Sequence, residues 1–290
     1  MITSLINLYI ANTFQQLHTP SPALTNNIQE VFQIEQGPVK KADKVAPVIQ
    51  SRAYLALDLE TDRILTNKNI NQRLPIASIT KTMTALIILE ENSLDEVVTV
   101  SSRAASTGGS RMNLRAGEKI TVKDLLYSIM IHSANDAAYA LAEHNAGTVE
   151  DFIVKMNQKA SDMSLVNTHF QNPAGLDHPD NYSTAYEITR IAKKLYEQPL
   201  IKEVVTLENH SVSSVDSRIT HKLQSTNSLL GSYLNIKGLK TGQTPAAGAC
   251  LVAIAQDTNN NEIITVVLNS PDRFRESKIL IDWTFNSFIW

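Results

Sequence analysis

Short apolar segments near both ends of the chain predict β-strands. Residues 53–59 form an apolar run, and residues 63–66 are expected to return beside it as the second strand of a hairpin. Towards the other end, residues 248–256 and 263–269 are again rich in branched apolar side chains, and turn-forming asparagines join them. Two pairs of strands are therefore expected, one near each end.

Between these strands, apolar residues recur at spacings of three and four, which is the period of a helix with a buried face. The helical segments are 78–91, 122–131, 135–145, 149–163 and 184–196, with a last helix over about 275–288. The order of elements is thus strands, helices, strands and a final helix. This order predicts an α+β fold in which both chain ends build one antiparallel sheet and the helices form an insertion.

The first fifty residues have a different pattern. They contain four of the ten prolines and many amide side chains, which is typical of a tail or linker. The apolar run at residues 2–11 is too short to span a bilayer, and the basic start of a secretory signal is missing because Lys40 is the first basic residue. We therefore expect a tail over 1–50, either a degenerate export signal or a short interfacial segment, and one folded domain over 51–290.

Composition excludes several classes of protein. The chain is 43% hydrophobic and 19% charged, as in ordinary globular proteins. Its net charge of −3 does not favour a nucleic-acid surface. The single cysteine, Cys250, excludes an intrachain disulfide, and the seven histidines lack metal-ligand spacing. We expect no metal, no cofactor and no nucleic-acid partner.

The first candidate for chemistry is the pair Ser78 and Lys81. Residues three apart in a helix share a face, and a serine hydroxyl becomes a good nucleophile when a neighbouring base removes its proton. A lysine amine can be that base when burial or another cation lowers its pKa. The alternative is a serine that starts a helix, followed by an ordinary solvated lysine.

Two further motifs are candidates for substrate contacts. Ser133 and Asn135 lie just before and at the start of a helix, where a hydroxyl and a carboxamide could relay a proton and hold a substrate amide, although both residues are also common helix caps. Lys240 and Thr241 precede Gly242 at a strand edge, where they could bind a carboxylate while the glycine lets a substrate backbone approach. The alternative for this motif is a surface turn.

Together, and in this order, the three motifs resemble those of the serine penicillin-recognising enzymes: Ser-x-x-Lys, Ser-x-Asn and Lys-Thr-Gly. More narrowly, the chain is similar to the low-molecular-mass D-alanyl-D-alanine carboxypeptidases of peptidase family S11. Supporting stretches are Thr107-Gly108-Gly109-Ser110, Asn172-Pro173-Ala174-Gly175-Leu176, Tyr182-Ser183-Thr184-Ala185 and Lys240 to Gly248. The resemblance covers about residues 53–290 and implies the α+β sandwich of the β-lactamases and DD-peptidases.

The resemblance also implies a role for each matching residue. Ser78 would be the acylated nucleophile, Lys81 its general base, Ser133 the proton shuttle to the leaving amine, and Asn135 the group that holds the substrate amide. The substrate carboxylate would meet Lys240 and Thr241, with Gly242 allowing close approach and the backbone N–H groups of Ser78 and Gln243 forming an oxyanion hole. An arginine near the chain end would also meet that carboxylate; Arg275 is the first candidate and Arg273 the second.

The implied activity is removal of the terminal D-alanine from peptidoglycan stem peptides, with β-lactams as further ligands and a role in cell-wall synthesis and cell shape. That substrate places the protein outside the cytoplasm, and membrane association is expected only through the N-terminal segment. Three alternatives stay open: a DD-endopeptidase, a β-lactamase of the same fold, and a non-catalytic penicillin-binding protein. The Glu-x-x-Leu-Asn pattern of class A β-lactamases is absent, and the intact motifs disfavour the non-catalytic alternative.

Overall fold

A computed structural model describes residues 37–290. Its strands are β1 (Val39–Lys40), β2 (Ala53–Asp58), β3 (Ile64–Lys68), β4 (Leu74–Pro75), β5 (Val97–Thr99), β6 (Lys119–Thr121), β7 (Tyr182–Ser183), β8 (Asn209–Ser213), β9 (Thr220–Gln224), β10 (Asn235–Thr244), β11 (Gly248–Gln256), β12 (Glu262–Ser270) and β13 (Phe288–Ile289). Its α-helices are α1 (Lys81–Glu91), α2 (Ser102–Ala105), α3 (Val122–Tyr127), α4 (Asn135–Ala146), α5 (Val149–Asp162), α6 (Ala185–Tyr196), α7 (Pro199–Val204) and α8 (Arg273–Ser287). A 3-10 turn over Ala77–Thr80 and a π-helical turn over Ser128–His132 complete the helical elements.

The centre of the fold is a five-stranded antiparallel sheet in the order β10-β11-β12-β2-β3. Strands from late in the chain pair directly with strands from its beginning, as where Ile264 of β12 lies opposite Leu57 of β2. The expected α+β fold, with a sheet built by both ends and a helical insertion, is therefore confirmed. β10, which carries the Lys-Thr-Gly motif, is one edge of this sheet.

The inner strands are mostly apolar because both faces of the sheet are covered. Val252 and Val266 pack with the helical insertion, whereas their neighbours Leu251 and Val267 pack on the opposite face with α8. Successive side chains of a strand point to opposite faces, so a continuous apolar run fills two cores. Each buried aliphatic side chain contributes about 1.5–3 kcal/mol.

Threonines fix where several insertion helices begin. The side chains of Thr121, Thr148 and Thr184 each accept a hydrogen bond from a backbone N–H in the first turn of α3, α5 and α6, respectively. Such caps each stabilise a helix by roughly 1 kcal/mol.

The predicted elements agree with the structure to within a few residues, but the short helices α2 and α7 and the strands of two or three residues were not predicted. Three further differences affect residues of the site. The helix predicted over 122–131 ends at Tyr127 and continues as the π-helical turn, the last helix begins at Arg273 rather than near 275, and the hairpin β8–β9 was not predicted. Within residues 37–290 no helix is long and apolar enough to cross a membrane.

The apolar run at residues 2–11 lies outside the described residues. Part of the predicted tail is described, because β1 pairs with β13 and Ile49 is buried in the core beneath α8. The boundary between residues 50 and 51 stays a prediction.

Candidate active site

The turn over Ala77–Thr80 presents Ser78 at the start of α1. Ala77 has a φ of 49°, so the backbone turns sharply into the helix and leaves Ser78 partly exposed. A Cβ on Gly175 would lie 1.9 Å from the carbonyl oxygen of Ala77, and one on Gly242 would lie 2.9 Å from the backbone nitrogen of Ser78. Only residues without side chains permit two backbones to press this closely against the nucleophile turn.

Lys81 lies one turn after Ser78 and is completely buried. Its Nζ is 2.9 Å from Ser78 Oγ, 2.7 Å from Asn135 Oδ1 and 2.7 Å from the carbonyl oxygen of Ala174. A neutral amine has two N–H donors and one lone pair. When the two donors serve the carbonyl oxygens of Asn135 and Ala174, the lone pair faces the hydroxyl of Ser78, as a general base requires.

Electrostatics favour this neutral amine. The pKa of Lys81 lies well below its ordinary value, first because burial disfavours the charged form and then because Lys240 adds like-charge repulsion, although Asp136 acts in the opposite direction. Sequence reasoning had named burial or another cation as the cause of a lowered pKa, and both act here. Burial is the larger cause.

The loop that contains Gly108 holds Asn135 in place. The side-chain Nδ2 of Asn135 donates to the carbonyl oxygen of Gly108 at 2.7 Å, and its backbone N–H donates to Ser110 at 2.7 Å. Buried Asp136 accepts from the backbone N–H groups of Met112 and Leu114, which fixes the same loop to α4. Among residues 37–290, the second N–H of the Asn135 carboxamide has no partner, so it could donate to a substrate carbonyl.

Ser133 follows the π-helical turn with a φ of 59°. This left-handed position turns the chain sharply between His132 and α4. The hydroxyl of Ser133 makes no hydrogen bond to any residue of the described part of the chain. We call the region between the turn of Ser78, the start of α4 and β10 the cleft. The hydroxyl of Ser133, just before α4, is available to a substrate group there.

Lys240 and Thr241 lie on β10, next to the nucleophile turn. Lys240 is 1% exposed, and burial, followed by the nearby charge of Arg273, lowers its pKa to about 7. Its Nζ donates to the carbonyl oxygen of Thr241 at 3.0 Å. The hydroxyl of Thr241 contacts the hydroxyl of Thr226 at 2.5 Å, a partner that sequence reasoning missed.

The structure brings Arg273, and not Arg275, to the edge strand. Nη1 of Arg273 donates to the carbonyl oxygen of Gly242 at 3.1 Å and to Oε1 of Gln243 at 3.0 Å. The side chain of Arg275 is exposed and makes no hydrogen bond to the described residues. The geometry therefore favours the second candidate over the first.

The loop after Gln171 contributes a backbone group that no motif had assigned. Oδ1 of Asn172 accepts from the backbone N–H groups of Ala174, Gly175 and Leu176, at 3.2, 2.7 and 2.9 Å. This arrangement aims the carbonyl oxygen of Ala174 at Lys81. In residues 37–290, no three His, Cys, Asp or Glu side chains cluster as metal ligands.

Comparisons with known proteins point to one family. The sequence profile of the D-alanyl-D-alanine carboxypeptidases, peptidase family S11, matches residues 40–272. D-alanyl-D-alanine carboxypeptidase DacF of Bacillus subtilis is 36% identical over 247 residues, which cover 82% of this chain and 63% of the relative. DacC of Escherichia coli is 35% identical over 260 residues, covering 84% and 63%. The chain thus spans less than two thirds of the length of these relatives.

A solved structure gives the same result for the fold. The Streptomyces K15 DD-transpeptidase superposes with a TM-score of 0.79 at 31% identity, covering 84% of this chain and all of the other. A relative named D-alanyl-D-alanine endopeptidase, from Escherichia coli, is 34% identical over 227 residues, covering 77% of this chain and 73% of the relative. The fold and the family match place the chain among the serine penicillin-recognising proteins. It belongs to the D-alanyl-D-alanine carboxypeptidase family.

Proposed function

We propose that this protein is a serine DD-carboxypeptidase, which removes the C-terminal D-alanine of peptidoglycan stem peptides through an acyl-enzyme on Ser78. The observation that carries the proposal is the position of the Lys81 amine. It is buried, held by two carbonyl oxygens, and 2.9 Å from Ser78 Oγ.

In the first step, Lys81 takes the proton of Ser78 while Oγ attacks the carbonyl carbon of the penultimate D-alanine. The oxygen of the tetrahedral intermediate would lie between the backbone N–H groups of Ser78 and Gln243. The close approach of Gly242 to the nitrogen of Ser78 supports this placement. Each such donor typically lowers the barrier by about 3–4 kcal/mol.

In the second step, the intermediate collapses and the terminal D-alanine leaves as an amine that takes a proton from Ser133. The proton that Lys81 took from Ser78 passes to Ser133 in exchange, so Lys81 is neutral again. Water then attacks the acyl-enzyme, with Lys81 again removing the proton, and Ser78 is regenerated. The free hydroxyl of Ser133 and the free N–H of Asn135 support these assignments, the latter as a donor to the substrate amide.

The free carboxylate of the substrate would be bound by Lys240, Thr241 and Arg273. Two cations and a hydroxyl beside one strand edge are suited to an anion, and charge-assisted hydrogen bonds are roughly twice as strong as neutral ones. Binding of the carboxylate would also favour the charged form of Lys240, whose pKa of about 7 leaves it partly neutral in the free protein.

We further propose that the substrate is extracytoplasmic peptidoglycan and that β-lactams acylate Ser78. A β-lactam carries a carboxylate beside its reactive amide and so presents the same two groups. We assign membrane association to the N-terminal segment alone.

The test is release of D-alanine from a diacetylated Lys-D-Ala-D-Ala tripeptide, together with the intact mass of the protein after benzylpenicillin. The native chain should release D-alanine and gain one adduct. Ser78→Ala should do neither, whereas Ser102→Ala, at an exposed serine outside the cleft, should do both. An adduct on Ser78→Ala, or no release by the native chain, contradicts the proposal.

The endopeptidase function is a second candidate because relatives with that name cover most of the chain. A cross-linked dimer of stem peptides distinguishes the two functions. Faster cleavage of the cross-link than of the terminal D-alanine would favour the endopeptidase, and turnover of benzylpenicillin at a comparable rate would favour a β-lactamase.

A further inference from the structure

The hairpin β8–β9 is followed by Thr226, which connects the loop before Ser133 with the strand that carries Thr241. Thr226 follows β9, and its backbone N–H donates to the carbonyl oxygen of Ile131 at 3.2 Å, two residues before Ser133. Its hydroxyl lies 2.5 Å from the hydroxyl of Thr241 on β10. Thr226 therefore joins the Ser133 loop to the edge strand at one end of the cleft.

The hydroxyl of Thr241 has few other ways to be oriented. Thr241 is 3% exposed, and among the described residues the only hydrogen-bond partner of its hydroxyl is Thr226. The amine of Lys240 donates to the backbone carbonyl oxygen of Thr241 and not to this hydroxyl. The direction of the bond between the two threonines thus decides what Thr241 can offer to a ligand.

A substrate carboxylate only accepts hydrogen bonds. For Thr241 to donate its proton to the carboxylate, its oxygen must accept from Thr226, which then supplies the other proton of the pair. The reverse direction would turn a lone pair of Thr241 towards the carboxylate and repel it.

We propose that Thr226 is a positioning residue, which orients the hydroxyl of Thr241 as a donor to the free carboxylate of the substrate. This inference rests on the proposed carboxypeptidase function. Its substrate class is a peptide with a free C-terminal carboxylate, and Thr226 acts on the selection of that group without touching it.

The experiment compares kcat/KM for the diacetylated tripeptide with a free carboxylate and with an amidated C-terminus. In Thr226→Val, which is isosteric and lacks the hydroxyl, the value for the free acid should fall about fivefold, the effect of one hydrogen bond, while that for the amide changes less than about twofold. Thr226→Ser keeps the hydroxyl. The ratio of kcat/KM for the free acid to kcat/KM for the amide should therefore stay at its native value. Thr226→Ala gives the same comparison if valine prevents folding.

A matched control lies on the hairpin that precedes Thr226. Thr220 is exposed, and its hydroxyl contacts that of Ser213 at 3.1 Å, so Thr220→Val removes an equivalent hydroxyl pair away from the cleft. The native ratio should be unchanged in this variant.

Two results would overturn the inference while leaving the proposed function intact. One is that Thr226→Val shows the same ratio of kcat/KM between the free acid and the amide as the native protein. The other is an equal loss on both substrates in Thr226→Val and Thr226→Ser, which would make the residue merely structural. Failure of the native protein to release D-alanine would instead count against the proposed function.

Discussion

Gly242 offers the sharpest test of how the edge strand holds the nucleophile. A Cβ at this position would lie 2.9 Å from the nitrogen of Ser78, 3.1 Å from Cβ of Ala77 and 3.1 Å from the carbonyl oxygen of Ile76. The backbone of Gly242 is not in the left-handed region, so alanine can adopt its conformation without strain. The only obstacle to alanine at position 242 is therefore the steric contact of its Cβ with these three atoms.

Two of those three neighbours are backbone atoms of the nucleophile turn, which cannot rotate aside as a flexible side chain could. Gly242→Ala must therefore separate β10 from the turn by a few tenths of an ångström. That separation moves the N–H groups of Ser78 and Gln243 apart. Loss of one oxyanion donor costs about 3–4 kcal/mol of barrier, or 10²–10³ in rate; a partial displacement should cost about 10².

The assay is the rate of acylation by benzylpenicillin, measured by intact mass, together with the melting temperature. Overpacking should reduce stability by about 1–3 kcal/mol. Gly108→Ala is the matched control because a Cβ there meets nothing within 4 Å, although the residue lies beside Asn135. Acylation of folded Gly242→Ala within about threefold of native would refute the reasoning.

Lys81→Arg should abolish acylation by benzylpenicillin, because a guanidinium stays protonated at any working pH; an adduct formed at near-native rate would remove Lys81 from the role of base. The preference for the free-acid tripeptide over its amide should fall as pH rises through about 7, because Lys240 is charged below that pKa and neutral above it. The fall should be absent in Lys240→Ala, and a native preference that is constant across this range contradicts the assignment. Asn172→Ala should slow acylation about tenfold, because the loop that aims Ala174 at Lys81 loses its acceptor. Asn172→Asp keeps that acceptor, so equal acylation rates in the two variants would count against this role.

The sequence predicts the chemistry of the first motif because its geometry is local. Ser78 and Lys81 are three residues apart at a helix start, and that spacing alone brings the amine to the hydroxyl. The surroundings that make the amine a base come from elsewhere in the chain. Asn135 and the carbonyl oxygen of Ala174 are brought there by the tertiary fold.

Backbone groups leave no signal of their own in a sequence. The carbonyl oxygen of Ala174 works because the side chain of Asn172 turns the loop, and only that asparagine is visible as a residue type. The Asn172 stretch could therefore be noted as part of a resemblance, but its contact with Lys81 could not be derived.

The hairpin β8–β9 was missed for a different reason. Its strands lie mostly on the surface and bury few apolar side chains, notably Val212 and Leu223. The apolar alternation that reveals a half-buried strand is consequently weak. Thr226 lies just beyond this hairpin, and its contact with Thr241 became visible only with the pairing of the strands.

The choice between Arg273 and Arg275 shows how a small error in a helix boundary changes a site. Residues that are two positions apart on an α-helix are separated by about 200° around its axis. Only one of Arg273 and Arg275 can therefore face β10. The side chain of Asp272 caps the helix by accepting from the N–H of Arg275, which places Arg273 in the first turn and directs it to Gly242. A helix predicted to begin near 275 ignores this cap. Aspartate is a favoured N-cap residue, so Asp272 was the signal that could have fixed the phase of the helix and, with it, the arginine that faces β10.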